Sequence, residues 1–207
     1  MRTIKVYGDS ISKHYLDEIV DALRDGKIII YPTDTLYAIC CDALNNKAVE
    51  QICRLKDIDP KKHPLAVCCS DLSQASGYAK ISNVAFDIMR RNIPGPFTFI
   101  LPSASSLPKV FKGRKEVGVR VPDDGIAQAI AQSLGNPLMT TSIELPDDVS
   151  EDLSDIATIE VADRYAPGEI ALMVDAGPRP MSPSAVVSLL DPAEPEIIRE
   201  GPIQLDL

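Results

Sequence analysis

Arg120, at the end of the apolar run Val117-Gly118-Val119, is the side chain in this sequence best suited to chemistry. Its planar guanidinium grips phosphate or carboxylate through two parallel hydrogen bonds, a geometry that a lysine ammonium does not enforce. Arg199 is a second group of this kind, and Lys56 supplies a point charge. Hydroxyls gather at Thr140-Thr141-Ser142, directly after Pro137-Leu138-Met139. Strand ends are where ligands collect in open α/β sheets. Thr33, Asp34 and Thr35 follow the apolar Ile28-Ile29-Ile30-Tyr31 and offer oxygens suited to an amine and a hydroxyl. On residue types alone each group also has a purely structural reading. Arg120 suits an ion pair, Thr140 to Ser142 a bulge or cap, and Pro32 to Thr35 a turn closed by Asx-type hydrogen bonds.

Metal chemistry finds little support. The five cysteines include two adjacent pairs, Cys40-Cys41 and Cys68-Cys69, with Cys53 alone. Neighbours on a strand point to opposite faces and cannot easily chelate one ion. The C-x-x-C spacing of structural zinc is absent, and the only histidines are His14 and His63. Buried free thiols are the expectation. An odd cysteine count without a secretory leader indicates a reducing compartment, hence the cytoplasm. No apolar run approaches the roughly 20 residues that cross a bilayer, so no membrane association is expected.

The net charge of −9 argues against a broad non-specific grip on nucleic acid. Two basic clusters stand out locally: Arg54, Lys56, Lys61, Lys62 and His63, then Lys109, Lys112, Arg114 and Lys115. Taken singly, each reads as a solvated loop.

Apolar periodicity predicts a helix over Lys13–Arg24, ended by Gly26, and a second one beginning at Asn45-Asn46. Further helices are expected over Asn83–Arg91 and Ile126–Leu134. Strands are expected over Lys27–Tyr31, Leu36–Cys41, Pro64–Cys69, Phe97–Leu101, Val117–Val121, Leu138–Thr141, Ala171–Val174, Ala185–Leu189 and Ile197–Arg199. Pro146 to Asp155 reads as an acidic loop feeding a short helix through Asp163. Strands and helices interleave without a repeat or linker. This predicts one α/β domain spanning residues 1–207, a twisted open mixed sheet with helices on its faces.

Six motifs occur in an order that resembles the YrdC/YciO family. They are Tyr31-Pro32-Thr33-Asp34-Thr35-Leu36-Tyr37-Ala38, Pro94-Gly95-Pro96-Phe97-Thr98, and Val117-Gly118-Val119-Arg120-Val121-Pro122. Pro137 to Ser142, Pro183-Ser184-Ala185-Val186-Val187 and Arg199-Glu200-Gly201 complete the set, and the resemblance runs from about residue 13 to residue 201. It implies a YrdC-like fold with a large concave cavity that binds a nucleotide and a small acyl group. The family's best-known members condense L-threonine, bicarbonate and ATP into threonylcarbamoyl-adenylate for tRNA modification, and binding of tRNA or double-stranded RNA is associated with the family. For this chain the resemblance implies ATP as substrate, with magnesium an open requirement. Catalytic roles fall to Lys56 and Arg120. Substrate-binding roles fall to Thr33, Asp34, Thr35, Tyr37, Thr140, Thr141, Ser142, Glu144, Ser184 and Arg199.

Several positions depart from the synthase pattern. The K-x-R motif reads Lys56-Asp57-Ile58 and S-x-N reads Ser142-Ile143-Glu144. Asp124 stands where histidine is frequent, and Ala185 replaces a threonine. A carboxylate in place of asparagine repels phosphate unless a cation or proton intervenes. These changes resemble the YciO branch, and the expectation is a nucleotide or adenylate ligand held differently from ATP in the synthases. RNA binding without synthase activity is the alternative reading.

Overall fold

A computed structural model of the chain describes residues 1–113, 115–143, 169–180 and 182–207. Glu144 and the expected acidic loop and helix between Pro146 and Asp163 lie outside the described residues.

Ten strands form one sheet: β1 (Arg2–Lys5), β2 (Ile29–Tyr31), β3 (Ala38–Asp42), β4 (Ala66–Cys68), β5 (Phe97–Pro102), β6 (Glu116–Arg120), β7 (Leu138–Ser142), β8 (Leu172–Asp175), β9 (Ala185–Ser188) and β10 (Glu196–Arg199). Their order is β1-β8-β2-β3-β7-β4-β6-β5-β9-β10. Parallel pairs (β1 with β8, β8 with β2, β4 with β6, β5 with β9) mix with antiparallel ones, as expected for a mixed α/β sheet. The helices are α1 (Lys13–Arg24), α2 (Asn46–Leu55), α3 (Leu72–Ser76), α4 (Asn83–Asn92) and α5 (Gly125–Leu134). A 3₁₀ turn covers Lys109–Gly113.

Local chemistry sets the helix starts. Ser12, Asn45, Asp71, Ser82 and Asp124 each accept a hydrogen bond from a backbone N–H of the first turn that would otherwise lack a partner. Strand β1, helix α3 and the 3₁₀ turn were not expected. β1 is mostly polar with only Ile4 buried, and α3 has five residues, too few to display a helical period.

Two apolar layers cover opposite faces of the sheet. Val49 and Ile52 of α2, Ala75 of α3 and Met89 of α4 pack with Val67, Phe99, Val119 and Val187 on one face. On the other, Ile19, Val20 and Leu23 of α1 and Ile126, Ile130 and Leu134 of α5 cover Ile29, Tyr31, Ala38, Cys40, Cys68 and Leu138. Those two helices cover only part of their face. Over β7, β4, β6, β5 and β9 it is left open as a cavity of about 770 Å³.

The floor of that cavity is a row registered across strands, Thr140 to Ala66 to Gly118 to Ile100. Small residues at its centre give it depth. A Cβ at Gly118 meets Thr98 Cγ2 at 3.1 Å and the Ala66 Cβ at 3.2 Å. Gly118→Val is therefore expected to cost about 1–3 kcal/mol by overpacking, measured by urea unfolding.

All five cysteines are free and buried. Burial pushes the Cys68 thiol up to about 12, with the Tyr31 hydrogen bond and then the Arg120 charge acting in the opposite sense. Burial also raises Cys40, Cys41, Cys53 and Cys69. An unfolded thiol titrates near about 8.5. Above that pH the native state holds more protons than the unfolded chain, so stability falls as pH rises. The slope is about 1.4 kcal/mol per pH unit per thiol. Unfolding midpoints should therefore vary little with these thiols below about pH 8 and drop progressively from about pH 9 to 12.

Candidate functional site

The cavity is organised around one guanidinium. Arg120 ends β6 on the open face with its side chain 8% exposed. Its Nη2 donates to Thr35 Oγ1 at 2.6 Å, to Thr33 Oγ1 at 3.3 Å and to Asp34 Oδ1. Asp34 Oδ2 accepts from the Asp123 N–H at 3.0 Å, so one carboxylate ties the β2–β3 connection to the loop after β6. Thr33 Oγ1 donates to the Leu36 carbonyl at 2.7 Å and accepts from the Thr35 N–H at 3.1 Å. The Thr-Asp-Thr turn and the arginine site are thus one unit. Arg120 Nε is buried and meets no acceptor among the described residues.

A second guanidinium stands on the far wall. Arg199 Nε and Nη2 donate to the Ser184 carbonyl at 3.0 and 2.8 Å, and Ser184 Oγ lies 3.0 Å from Thr98 Oγ1. Burial lowers the Arg199 pKa from its ordinary value, and the charge of Arg120 lowers it further. Two cations that repel across one cavity favour an anion between them.

Thr140, Thr141, Ser142, Ser184, Arg120 and Arg199 all line the cavity. Thr33 and Thr35 are each 1% exposed and sit behind Arg120, off the lining. Tyr37 also lies away from it, with its hydroxyl donating to the Gly177 carbonyl at 2.7 Å and accepting from the Ala176 N–H at 3.0 Å. Lys56 is the C-cap of α2, and the wall at that point is built by the next two residues, Asp57 and Ile58. Asp57 takes a left-handed conformation, φ 50°, where α2 ends with the Ile58 N–H bonded to the Cys53 carbonyl. The isoleucine at the motif-arginine position thus faces the ligand space.

Residue reasoning assigned no role to Thr98, although it stands in the Pro-Gly-Pro-x-Thr motif. It also missed Arg179, whose Nε and Nη2 reach Asp124 Oδ2 at 3.3 and 3.2 Å. No pattern around Gly177-Pro178-Arg179 signals that contact. His63, expected in a solvated loop, is among the residues that line the cavity. Among the described residues no cluster of three or more His, Cys, Asp or Glu could hold a metal ion, and no helix is long and apolar enough to cross a membrane.

Fold and site together define an open α/β sheet protein with a concave, arginine-walled ligand cleft. Residues 21–201 match the family described as Telomere recombination (Sua5/YciO/YrdC), and the chain belongs to that family. It is 34% identical over 198 residues to YciO of Escherichia coli (strain K12), covering 95% of this chain and 93% of that protein. The crystal structure of E. coli YciO superposes with a TM-score of 0.86 at 33% identity, covering 98% of this chain and 97% of that one. A threonylcarbamoyl-AMP synthase of Mus musculus is 33% identical over 190 residues, 88% of this chain and 65% of the mouse protein. The P. abyssi Sua5 structure complexed with L-threonine matches with a TM-score of 0.82 at 26% identity, over 97% of this chain and 58% of that one.

The Arg120 frame is separable from the exposed wall. Asp34→Ala leaves a buried cation unpaired and should cost about 3–5 kcal/mol. Ser142→Ala on the partly exposed wall should stay within about 0.5 kcal/mol. Urea unfolding of the two variants checks the difference.

Proposed function

We propose that this protein is a cytoplasmic nucleotide-cleft enzyme acting on a carbamoyl-adenylate, with threonylcarbamoyl-adenylate as the reference ligand. The observation that carries the reading is the buried Arg120, whose Nε meets no acceptor among the described residues at a cavity that Arg199 also lines. A phosphate oxygen is a fitting acceptor for that group.

In the synthase direction, the threonine amine and bicarbonate condense to a carbamate, the N–C bond forming as a C–O bond breaks and water leaves, and a carbamate oxygen attacks the α-phosphorus of ATP. The new O–P bond forms as the bond to pyrophosphate breaks. Such a step needs positioning and donors for the charge that grows on the α-phosphate oxygens. Arg120 and Arg199 are the donors in this reading. Thr98, Thr140 and Ser184 orient the ligand, and Thr33, Asp34 and Thr35 act by holding Arg120. Lys56 and Tyr37 support the walls.

Ile58 and Glu144 give the reading its particular form. Both replace groups that favour triphosphate in the synthase pattern, so the cleft suits an adenylate with one phosphate better than ATP. Magnesium, where ATP is the ligand, would travel with the phosphates.

A second reading, docking of tRNA or double-stranded RNA, draws on one packing contact. A Cβ at Gly113 would lie 2.8 Å from the Pro60 carbonyl, so the 3₁₀ turn sits on the Pro60–Lys61 segment. In this reading Lys109 and Lys112 of that turn act with Lys61 and Lys62 of the segment it packs on. RNA binding should weaken steeply with salt, whereas adenylate binding responds far less.

The test is an assay of purified protein with ATP, L-threonine and labelled bicarbonate, followed in parallel with threonylcarbamoyl-adenylate itself. Turnover or tight binding of the adenylate is expected, with little synthesis from ATP. Indifference to the adenylate would refute the proposal. Ile58→Arg together with Glu144→Asn should tighten ATP binding by about tenfold, measured by calorimetry.

A further inference from the structure

Tyr31 runs from the helix-covered half of the sheet to the edge of the cavity. It ends β2, is 1% exposed and packs in the layer beneath α1 and α5. In the strand order β3 separates it from β7. The residues of β3 on that face are small: Ala38 opposes Tyr31, and Cys40 opposes Thr140. The phenol therefore spans β3, and its hydroxyl lies 2.9 Å from Thr140 Oγ1. Thr140 lines the cavity, and among the described residues Tyr31 is its hydroxyl's hydrogen-bond partner.

Each of the two hydroxyls carries one proton, so the direction of the bond fixes what Thr140 shows to a ligand. If Thr140 donates to Tyr31, only lone pairs face the cavity, and an anion is repelled. If Tyr31 donates, the Thr140 proton is left for the ligand. Acidity decides between them, because a phenol, which titrates near about 10, is a far stronger donor than an aliphatic alcohol. Cys68 also lies beside the Tyr31 hydroxyl, but sulfur is a weak acceptor. Burial holds the Tyr31 hydroxyl well above its ordinary pKa, so the donor keeps its proton. The charge of Arg120 acts on the same hydroxyl, which sets the pair in the field of the guanidinium. A proton ordered toward the cavity beside that charge suits an anionic oxygen.

We infer that Tyr31 is a positioning residue of the ligand cleft: its hydroxyl donates to Thr140 Oγ1 and commits the Thr140 proton to a phosphate oxygen of the ligand. The identity of that anion rests on the adenylate reading. Tyr31 directly precedes the turn whose Thr33, Asp34 and Thr35 hold Arg120. One stretch of chain thus sets both the guanidinium and the hydroxyl.

Calorimetry of the full chain with threonylcarbamoyl-adenylate and with AMP tests this. Tyr31→Phe keeps the ring and removes the donor, and should weaken both ligands by about fivefold. Thr140→Val should weaken them by about tenfold or more, and adding Tyr31→Phe to it should cost nothing further. In Thr140→Ser, which keeps the hydroxyl, the loss caused by Tyr31→Phe should return. Three results overturn the inference and leave the proposed function intact: unchanged affinity in Tyr31→Phe, a loss confined to the adenylate and absent with AMP, or an equal further loss on top of Thr140→Val. A wild type that binds AMP but not the adenylate refutes the proposed ligand, and the AMP series then decides the role of Tyr31. A wild type that binds neither removes both.

Discussion

A buried arginine is tolerable only when its charge and donors are met, because removing a charge from water costs several kcal/mol. Arg120 meets that constraint by drawing three consecutive side chains, Thr33, Asp34 and Thr35, onto Nη2. The same carboxylate reaches the Asp123 N–H, immediately ahead of the Asp124 cap of α5. One charged contact therefore fixes the turn between β2 and β3, the end of β6 and the approach to α5. The wall of the cleft takes its shape from that contact, and the polar groups left over face the ligand space.

The cleft follows from how the sheet is covered. α1 and α5 pack against one another and reach only the β1 to β7 side of their face, with Cys68 of β4 at the margin. Beyond them much of the floor is small or hydroxylated, with Ala66, Gly118, Thr98 and Thr140 lining the cavity beside Ile100. Arg199, anchored on the Ser184 carbonyl, stands on the side opposite the α2–β4 connection that contributes Asp57, Ile58 and His63. Arg120 and Arg199 thus supply the cationic side chains of a lining that holds an isoleucine at position 58.

Most of the elements were legible in the sequence because their signals are local. The α1 pattern gave the helix bounds that the structure has, Lys13–Arg24, and Asn45 capped α2 where expected. The mixed α/β sheet followed from strand and helix interleaving. Strand β1 escaped because it is mostly polar, and α3 and the 3₁₀ turn escaped because five residues carry no helical period. The site was legible as a set of motifs but not as a geometry. Thr33 and Thr35 read like ligand contacts because they stand in a loop after a strand, yet only the fold shows that they face Arg120. Arg179 met Asp124 from 55 residues away, a distance that leaves no trace in local sequence. The neutralising role of Asp34 was invisible for the same reason.

The most direct test of the account is a calorimetric comparison of threonylcarbamoyl-adenylate and ATP binding to the same protein, each repeated with Arg120→Lys. A cleft built around one phosphate should bind the adenylate at least about tenfold more tightly than ATP, and the lysine, lacking the planar fork, should lose most of that affinity. ATP binding as tightly as the adenylate, or an adenylate affinity unchanged by Arg120→Lys, would contradict it.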